Sequence, residues 1–440
     1  MTQGPPAAAD HASAEVLPRR LAVAVFLAFA GAYFLSALLR AVTATLSPVL
    51  TDTFALQARD LGLLAGGYFL GFSAVQLPLG AWLDRHGPKR VILALLTVAV
   101  AGCVVFAQAS GFAWLMAARV LMGVGVAACL MAPLTGYRRW FSPAMQLRAN
   151  AWMLMTGSLG MLASTLPVQW LLPVLGWRAL FWGLATLVLL AMAVIAVVVP
   201  RWQMNATDLI AKSAHPSSAN GLKKPEEKSD QAGYAHIWRH AVFRRAAPLG
   251  AISFGGMVAI QSLWAGPWLT RVAGHTPAQA AAGLFVINLG MLLAFWGWGL
   301  LLPRLAARGV RIEQLVARIQ PLSYVALAAL VAGGSAWGAG SAVLLMLYCV
   351  LSTPSAQVQP VVGMAFAPAL AGRALSAFNL VIFAGIFAVQ WGIGLGADAV
   401  EALGLAPADA LRAALGVFGL ISLACWAHYV RPCRAHGRGR

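Results

Sequence analysis

The chain has 440 residues, of which 60% are hydrophobic and only 10% charged, against roughly 25% charged in an ordinary globular chain. So few charges exclude a soluble fold, and the apolar runs repeatedly reach the ~20 residues that cross a ~30 Å hydrocarbon layer. The net charge of +18 raises nucleic acid as a partner, but the placement of the basic residues argues for membrane topology and against nucleic acid.

Residues 1–20 are Ala- and Pro-rich without periodicity and predict a disordered cytoplasmic N-terminus. Arg19-Arg20 ahead of Ala28-Phe29-Ala30 imitates a signal peptide, yet the apolar run continues to Thr51, too far for a signal h-region. Twelve spans are expected, near 21–50, 61–83, 91–109, 112–135, 150–173, 178–200, 246–270, 279–301, 317–336, 340–368, 375–397 and 408–430. With the N-terminus inside, 25 of the 31 Lys and Arg fall on inner segments and four on outer ones, Arg59, Arg178, Arg271 and Arg412. Arg40 and Arg119 lie within spans. The positive-inside rule then predicts a multi-pass inner-membrane protein with both termini cytoplasmic.

The stretch 201–245, with Pro216-Ser217-Ser218 and Lys223-Lys224-Pro225-Glu226-Glu227-Lys228, reads as a cytoplasmic linker. It separates a six-helix bundle at 21–200 from a second at 246–430, and 431–440 is expected to be a cytoplasmic tail. The halves repeat. A shift of 219 positions sets Pro48 on Pro267, Leu70-Gly71 on Leu289-Gly290, Gly80 on Gly299 and Arg85 on Arg304. Two parallel repeats with a site between them form one class of secondary transporter. Gly62 with Gly66, and Gly67 with Gly71, give overlapping G-x-x-x-G spacings that predict a tightly packed second span. In the tenth span, Ser352-Thr353-Pro354 through Gln359-Pro360 is a broken polar stretch that suggests a water-lined cavity. The five cysteines match no metal-ligand spacing, and neither disulfide, metal nor cofactor is expected.

The most specific motif is Gly80-Ala81-Trp82-Leu83-Asp84-Arg85-His86-Gly87-Pro88-Lys89-Arg90, at the inner end of the second span. It resembles the G-x-x-x-D-R-x-G-x-[RK]-[RK] signature of the major facilitator superfamily. Arg119-Val120-Leu121-Met122-Gly123 and Gly176-Trp177-Arg178 fit the same superfamily. The resemblance covers nearly the whole chain and implies an all-α membrane fold of twelve helices in two six-helix repeats, working by alternating access. It also implies a gate built on Gly80, Asp84, Arg85, Gly87, Lys89, Arg90 and Arg119. The repeat copy has Pro303 where Asp84 would stand, so the N-terminal latch should dominate. Gly157-Ser158-Leu159-Gly160-Met161 matches the antiporter pattern of the fifth helix poorly, which argues against drug-proton exchange.

An Arg at membrane depth is costly and faces a cavity or a partner. Arg40 is central in the first apolar run, shares a helical face with Tyr33 and Ser36, and precedes Pro48 by eight residues. That spacing resembles the organic-anion and sugar-phosphate carriers of the superfamily. All 13 acids lie at span ends or in loops, which argues against a central carboxylate proton relay and against a strongly cationic solute. Further candidates for solute contact are Gln261, Trp264, Asn288 and Asn379, each amide being equally able to make an interhelical hydrogen bond. The expected partners are a small-molecule solute, a coupling ion and the lipid bilayer, and the expected state is a monomer. The expected function is secondary transport of a small organic anion. A solute sensor of the same fold, or an exporter of neutral or hydrophobic compounds, stands as the alternative, and the short tail after Arg431 favours transport over sensing. No arrangement of nucleophile, base and metal ligands at one depth suggests an enzyme.

Overall fold

The computed structural model describes residues 17–200 and 234–431. Of the expected N-terminal segment 1–20, linker 201–245 and tail 431–440, residues 1–16, 201–233 and 432–440 lie outside the described residues, while 19–20, 234–239 and 241–245 are helical. Within the described residues the chain is helical, with short turns and no strand. In chain order the helices are α1 (Arg19–Phe54), α2 (Ala58–Ala74), α3 (Gln76–Ala107), α4 (Phe112–Trp140), α5 (Pro143–Ala163) and α6 (Leu166–Val198). A short helix at 234–239 precedes α7 (Ala241–Val272), α8 (Pro277–Ala307), α9 (Ile312–Gly333), α10 (Gly340–Met364), α11 (Pro368–Ala402) and α12 (Pro407–Val430).

Among the described residues, ten helices are long and apolar enough to cross a membrane. The difference from the twelve expected runs comes from where the hydrogen bonding breaks. The run expected at 61–83 is divided at Val75, which keeps right-handed helical angles, so α2 and the first turns of α3 form one rod. The non-helical residue is Gly87, at φ 76° and ψ 161°, inside α3. Gly176 does the same inside α6, at φ 73° and ψ 162°. An L side chain is disfavoured at such angles, so both breaks need glycine. Left-handed residues also follow α1, at Ala55, and α7, at Gly274, which stand 219 positions apart.

The glycines of α2 pack on two different helices. Gly67 and Gly71 face Met116 and Val120 of α4, and Gly123 of α4 in turn meets the Tyr68 carbonyl. Gly62 and Gly66 face Gln390 and Phe387 of α11. One overlapping small-residue pattern thus binds α2 within its own half and across to the other. Where lipid supplies no hydrophobic drive, such close backbone approach is the main source of helix association.

α7 is irregular. It widens into three π-helical stretches, Leu249–Phe254, Ile260–Trp264 and Trp268–Val272, between short α-helical turns. Pro248 and Pro267 each remove an amide from the ladder, and Gly250, Gly256 and Gly266 meet Phe378, Phe418 and the Ala44 carbonyl closely. The broken stretch of α10 forms a tight 3-10 turn over Thr353–Gln357. Ser352, Thr353, Pro354 and Ser355 are buried in protein, and the Thr353 and Ser355 hydroxyls donate to the Val350 and Ser352 carbonyls. These four residues are therefore packed in, whereas Gln357 and Pro360, at the end of the same stretch, line a groove of about 440 Å³.

Candidate functional site

The C-terminal ends of α1, α7 and α11 share one end of the bundle with the start of α2, since Leu56–Arg59, Arg271, Asp398 and Glu401 line one surface cavity of about 890 Å³. We call this end outer, following the charge distribution. Here the two halves are joined. The Asp398 carboxylate accepts the amides of Ala58 and Arg59, and the Trp264 indole donates to the Gln390 carbonyl at 3.1 Å, against Gly62. Phe72 and Phe383 meet across the interface between the halves as a tilted pair with centroids 4.3 Å apart.

At the opposite, inner end the halves stand apart around a cleft of about 620 Å³. Gln76, Gly80, Asp84, Thr135 and Arg138 line it from one half, Gly372, Arg373 and Ser376 from the other, together with Tyr234. Gly80 has no atom within 4 Å of the place a Cβ would occupy. Asp84 is exposed and has no hydrogen-bond or ion-pair partner among the described residues. Gly87 makes the sharp break after it, and Lys89 is tied to the Val199 carbonyl at 2.6 Å. Arg85 and Arg90 are exposed, and Arg90 lines a different groove on the far face of the same helix. Gly80 and Asp84 are therefore brought to the cleft, whereas Arg85, Lys89 and Arg90 are not.

Arg119 is not in this group. It is fully buried in the N-terminal half, level with Gly67, about 20 Å from Gly80 at 1.5 Å per residue. Its Nη1 donates to the Leu39 carbonyl at 2.8 Å, and its guanidinium lies 5.0 Å from the Tyr68 ring centroid. The Tyr68 hydroxyl donates to the Ser36 carbonyl at 3.1 Å. Side chains from α2 and α4 thus hold the α1 backbone on the turn that ends at Arg40. The Nε of Arg40 is buried without a hydrogen-bond partner, as are Nε and Nη2 of Arg119.

The remaining candidates divide between the halves. Tyr33 packs against Gly157 of α5, and Ser36 is buried one turn before Arg40. In the C-terminal half, Gln261 donates to Asn288 at 3.0 Å, Asn288 donates to the Leu284 carbonyl, and Gln359 donates to Asn379 at 2.6 Å. Gln390, with Nε2 on Ser262 Oγ at 3.0 Å, keeps its Oε1 buried and unpartnered. α1 and α7 run parallel, and Ala44 lies against Gly266. One turn inward on each helix stand Arg40 and Ser262, which places Arg40 at the level of the Gln261–Asn288 pair. Trp264 is buried with its only donor occupied, so it seals the outer interface and leaves no free indole N–H for a solute.

Sequence reasoning missed Tyr68, Ser262 and Asp398 as parts of this arrangement. The π-helical turn carrying Gln261 to Trp264 is a feature concentrated at functional sites, and its only sequence trace is the crowding of Gly and Pro in α7. Among the described residues no cluster of His, Cys, Asp and Glu could hold a metal ion.

The chain resembles the 4-hydroxybenzoate transporter PcaK of Pseudomonas aeruginosa, at 25% identity over 423 residues, covering 88% of this chain and 90% of that protein. A 112-residue stretch is 29% identical to an uncharacterized transporter, YybO, of Bacillus subtilis, 26% of either chain. Among solved structures, a bacterial homolog of the human lysosomal transporter Spinster, inward-facing and unoccupied, superposes with a TM-score of 0.70 at 18% identity, covering 94% of this chain and 97% of that one. The D-xylose-proton symporter gives a TM-score of 0.71 at 14% identity, covering 92% and 97%. These two likenesses establish the fold alone. The family model described as Major Facilitator Superfamily matches residues 29–390, and this multi-pass membrane protein belongs to that superfamily.

Proposed function

We propose that the protein is a secondary transporter that carries a small organic anion between its two halves, with Arg40 as the residue that binds the anionic group. The observation behind this reading is an unpaired guanidinium well inside a membrane helix, its Nε buried, with every carboxylate of the chain near a span end, at a bend or in a loop. Arg40 as a whole is half-buried, a charge held at membrane depth without a partner is costly, and an anionic solute would supply the partner. Arg119 and Tyr68 act on Arg40 indirectly, by fixing the α1 backbone at Leu39 and Ser36. Arg119 also adds a second positive charge at the same level. The likeness to PcaK makes an aromatic carboxylate the first solute to test.

The finer architecture belongs to this reading. Counting Gly87 and Gly176 as turns divides the chain into twelve crossings, six on each side of the linker. The left-handed residues Ala55 and Gly274, at the 219-residue offset of the Pro48–Pro267 match, support two repeats. With both termini inside, the joined end faces out and the open cleft faces the cytoplasm, which is one of the two states that alternating access requires. The gate at Gly80 and Asp84 would close this cleft in the other state.

A thermal-shift screen of the purified protein against organic anions and neutral metabolites, 4-hydroxybenzoate included, tests the solute class, since a bound ligand raises apparent stability by mass action. Stabilisation by carboxylates is expected. Stabilisation by neutral or cationic compounds alone would overturn the anion reading. Flux of the stabilising compound into proteoliposomes then separates a carrier from a sensor.

A further inference from the structure

The signature segment has two faces, and the gate uses only one. Gly80, Ala81 and Asp84 line the inner cleft, while Trp82, His86 and Arg90 line a separate groove of about 360 Å³ with Val91, Ala94 and Leu95. The helical period explains the division, because positions 82 and 86 lie one turn apart on one side and position 84 falls on the other. The bend at Gly87 then brings the start of the second rod, with Arg90 and the apolar residues, against the same hollow.

We propose that this groove binds one anionic glycerophospholipid, with Arg90 and His86 at the phosphate and Val91, Ala94 and Leu95 along an acyl chain. Arg90 and His86 are exposed, and neither has a hydrogen-bond or ion-pair partner among the described residues. Trp82 is 38% exposed at the rim, the placement at which an indole anchors to the headgroup region. Lys89, tied to the Val199 carbonyl beside the groove, adds positive charge to the same elbow. A charged lip that continues into an apolar wall fits a molecule with a phosphate at one end and hydrocarbon at the other. It does not fit a free phosphate ester or a purely apolar helix.

The corresponding groove of the C-terminal half sharpens the assignment. It measures about 440 Å³ and is lined by Leu305, Val310, Arg311 and Glu313, with Pro360 and Val361 of α10 on its other side. There a carboxylate stands beside the arginine and opposes an anion. Anionic lipid should therefore select the N-terminal groove over its counterpart.

Native mass spectrometry of the full chain in detergent tests the proposal, with phosphatidylglycerol and phosphatidylcholine of matched chains titrated onto wild type, Arg90→Gln, Arg90→Lys and Arg308→Gln. Arg308 is exposed at the C-terminal elbow and controls for general loss of charge. The expected result is a phosphatidylglycerol adduct stronger than the phosphatidylcholine adduct. It should weaken about fivefold in Arg90→Gln, the loss of one basic contact, and be kept in Arg90→Lys and Arg308→Gln. Excess glycerol phosphate should not displace the lipid. Equal weakening in Arg90→Gln and Arg308→Gln, equal binding of the two lipids, or displacement by glycerol phosphate would each overturn the assignment.

Discussion

The Asp398 carboxylate accepts the backbone amide of Ala58 at 3.1 Å, and its other oxygen accepts that of Arg59 at 3.0 Å, so the end of α11 caps the start of α2 from the opposite half of the molecule. The first amides of a helix have no partner within it, and negative charge is favoured there. At the inner end the relation is reversed and unmade. Asp84 lies at the far end of the rod that α2 begins, and the first turns of α11, at Gly372 and Arg373, face it across the open cleft. The ion pairs of Arg59 with Asp60 and Asp398, both 3.8 Å and made by an exposed arginine, add little to the outer joint.

If the Asp398 cap holds the outer end shut, Asp398→Asn should release it. A lost N-cap carboxylate costs about 1 kcal/mol, or roughly a fivefold change in a two-state population. Spin labels on cysteines at Gln57 and Ala406, one in each half and both at the outer cavity, should report a longer distance population in the variant. An unchanged distribution would show that the glycine contacts of α2 hold the outer end without the cap.

The inner gate predicts a different signature. Because Gly80 has open space around it in this state, Gly80→Leu should leave the folded protein as stable as wild type yet reduce flux to background, by blocking closure of the cleft. Asp84→Asn should do the same by removing the charge that closure requires. Arg304→Ala, at the repeat position without an acid, should be milder. Proteoliposome uptake paired with thermal melts would show the reverse ranking if the gate lies in the C-terminal half.

Two glycines on the same rod should respond oppositely to a methyl group. A Cβ on Gly71 would run into the Val120 backbone of α4, so Gly71→Ala should lose about 1–3 kcal/mol of stability through overpacking. Gly80→Ala meets nothing and should be neutral or stabilising by up to about 1 kcal/mol through helix propensity. Melting temperatures of the two variants check both.

Much of this was readable in the sequence. Arg40 shows itself as a charge far from either end of an apolar run, and Gly62, Gly66, Gly67 and Gly71 announce close packing by their spacing. Their partners are not readable, because Gln390 and Val120 meet those glycines through backbone atoms of distant helices. Asp398 looked like any acid at a span end, since its acceptor role depends on a helix start 340 positions away in the chain. Motif resemblance alone groups Arg119 with the gate. Its actual neighbour, the Leu39 carbonyl, is a group every residue possesses and no pattern can single out. Closeness to Gln261 in the chain makes Trp264 a candidate for solute contact, whereas the fold turns its indole toward α11.

The most direct test of the central claim is the affinity of a stabilising carboxylate for wild type, Arg40→Lys and Arg40→Ala, measured by calorimetry in detergent. Lysine keeps the charge but loses the planar fork that fits a carboxylate, so Arg40→Lys should weaken binding by about 1–3 kcal/mol, and Arg40→Ala should abolish saturable binding. Equal affinity in all three proteins would contradict the account and make Arg40 a structural residue of α1.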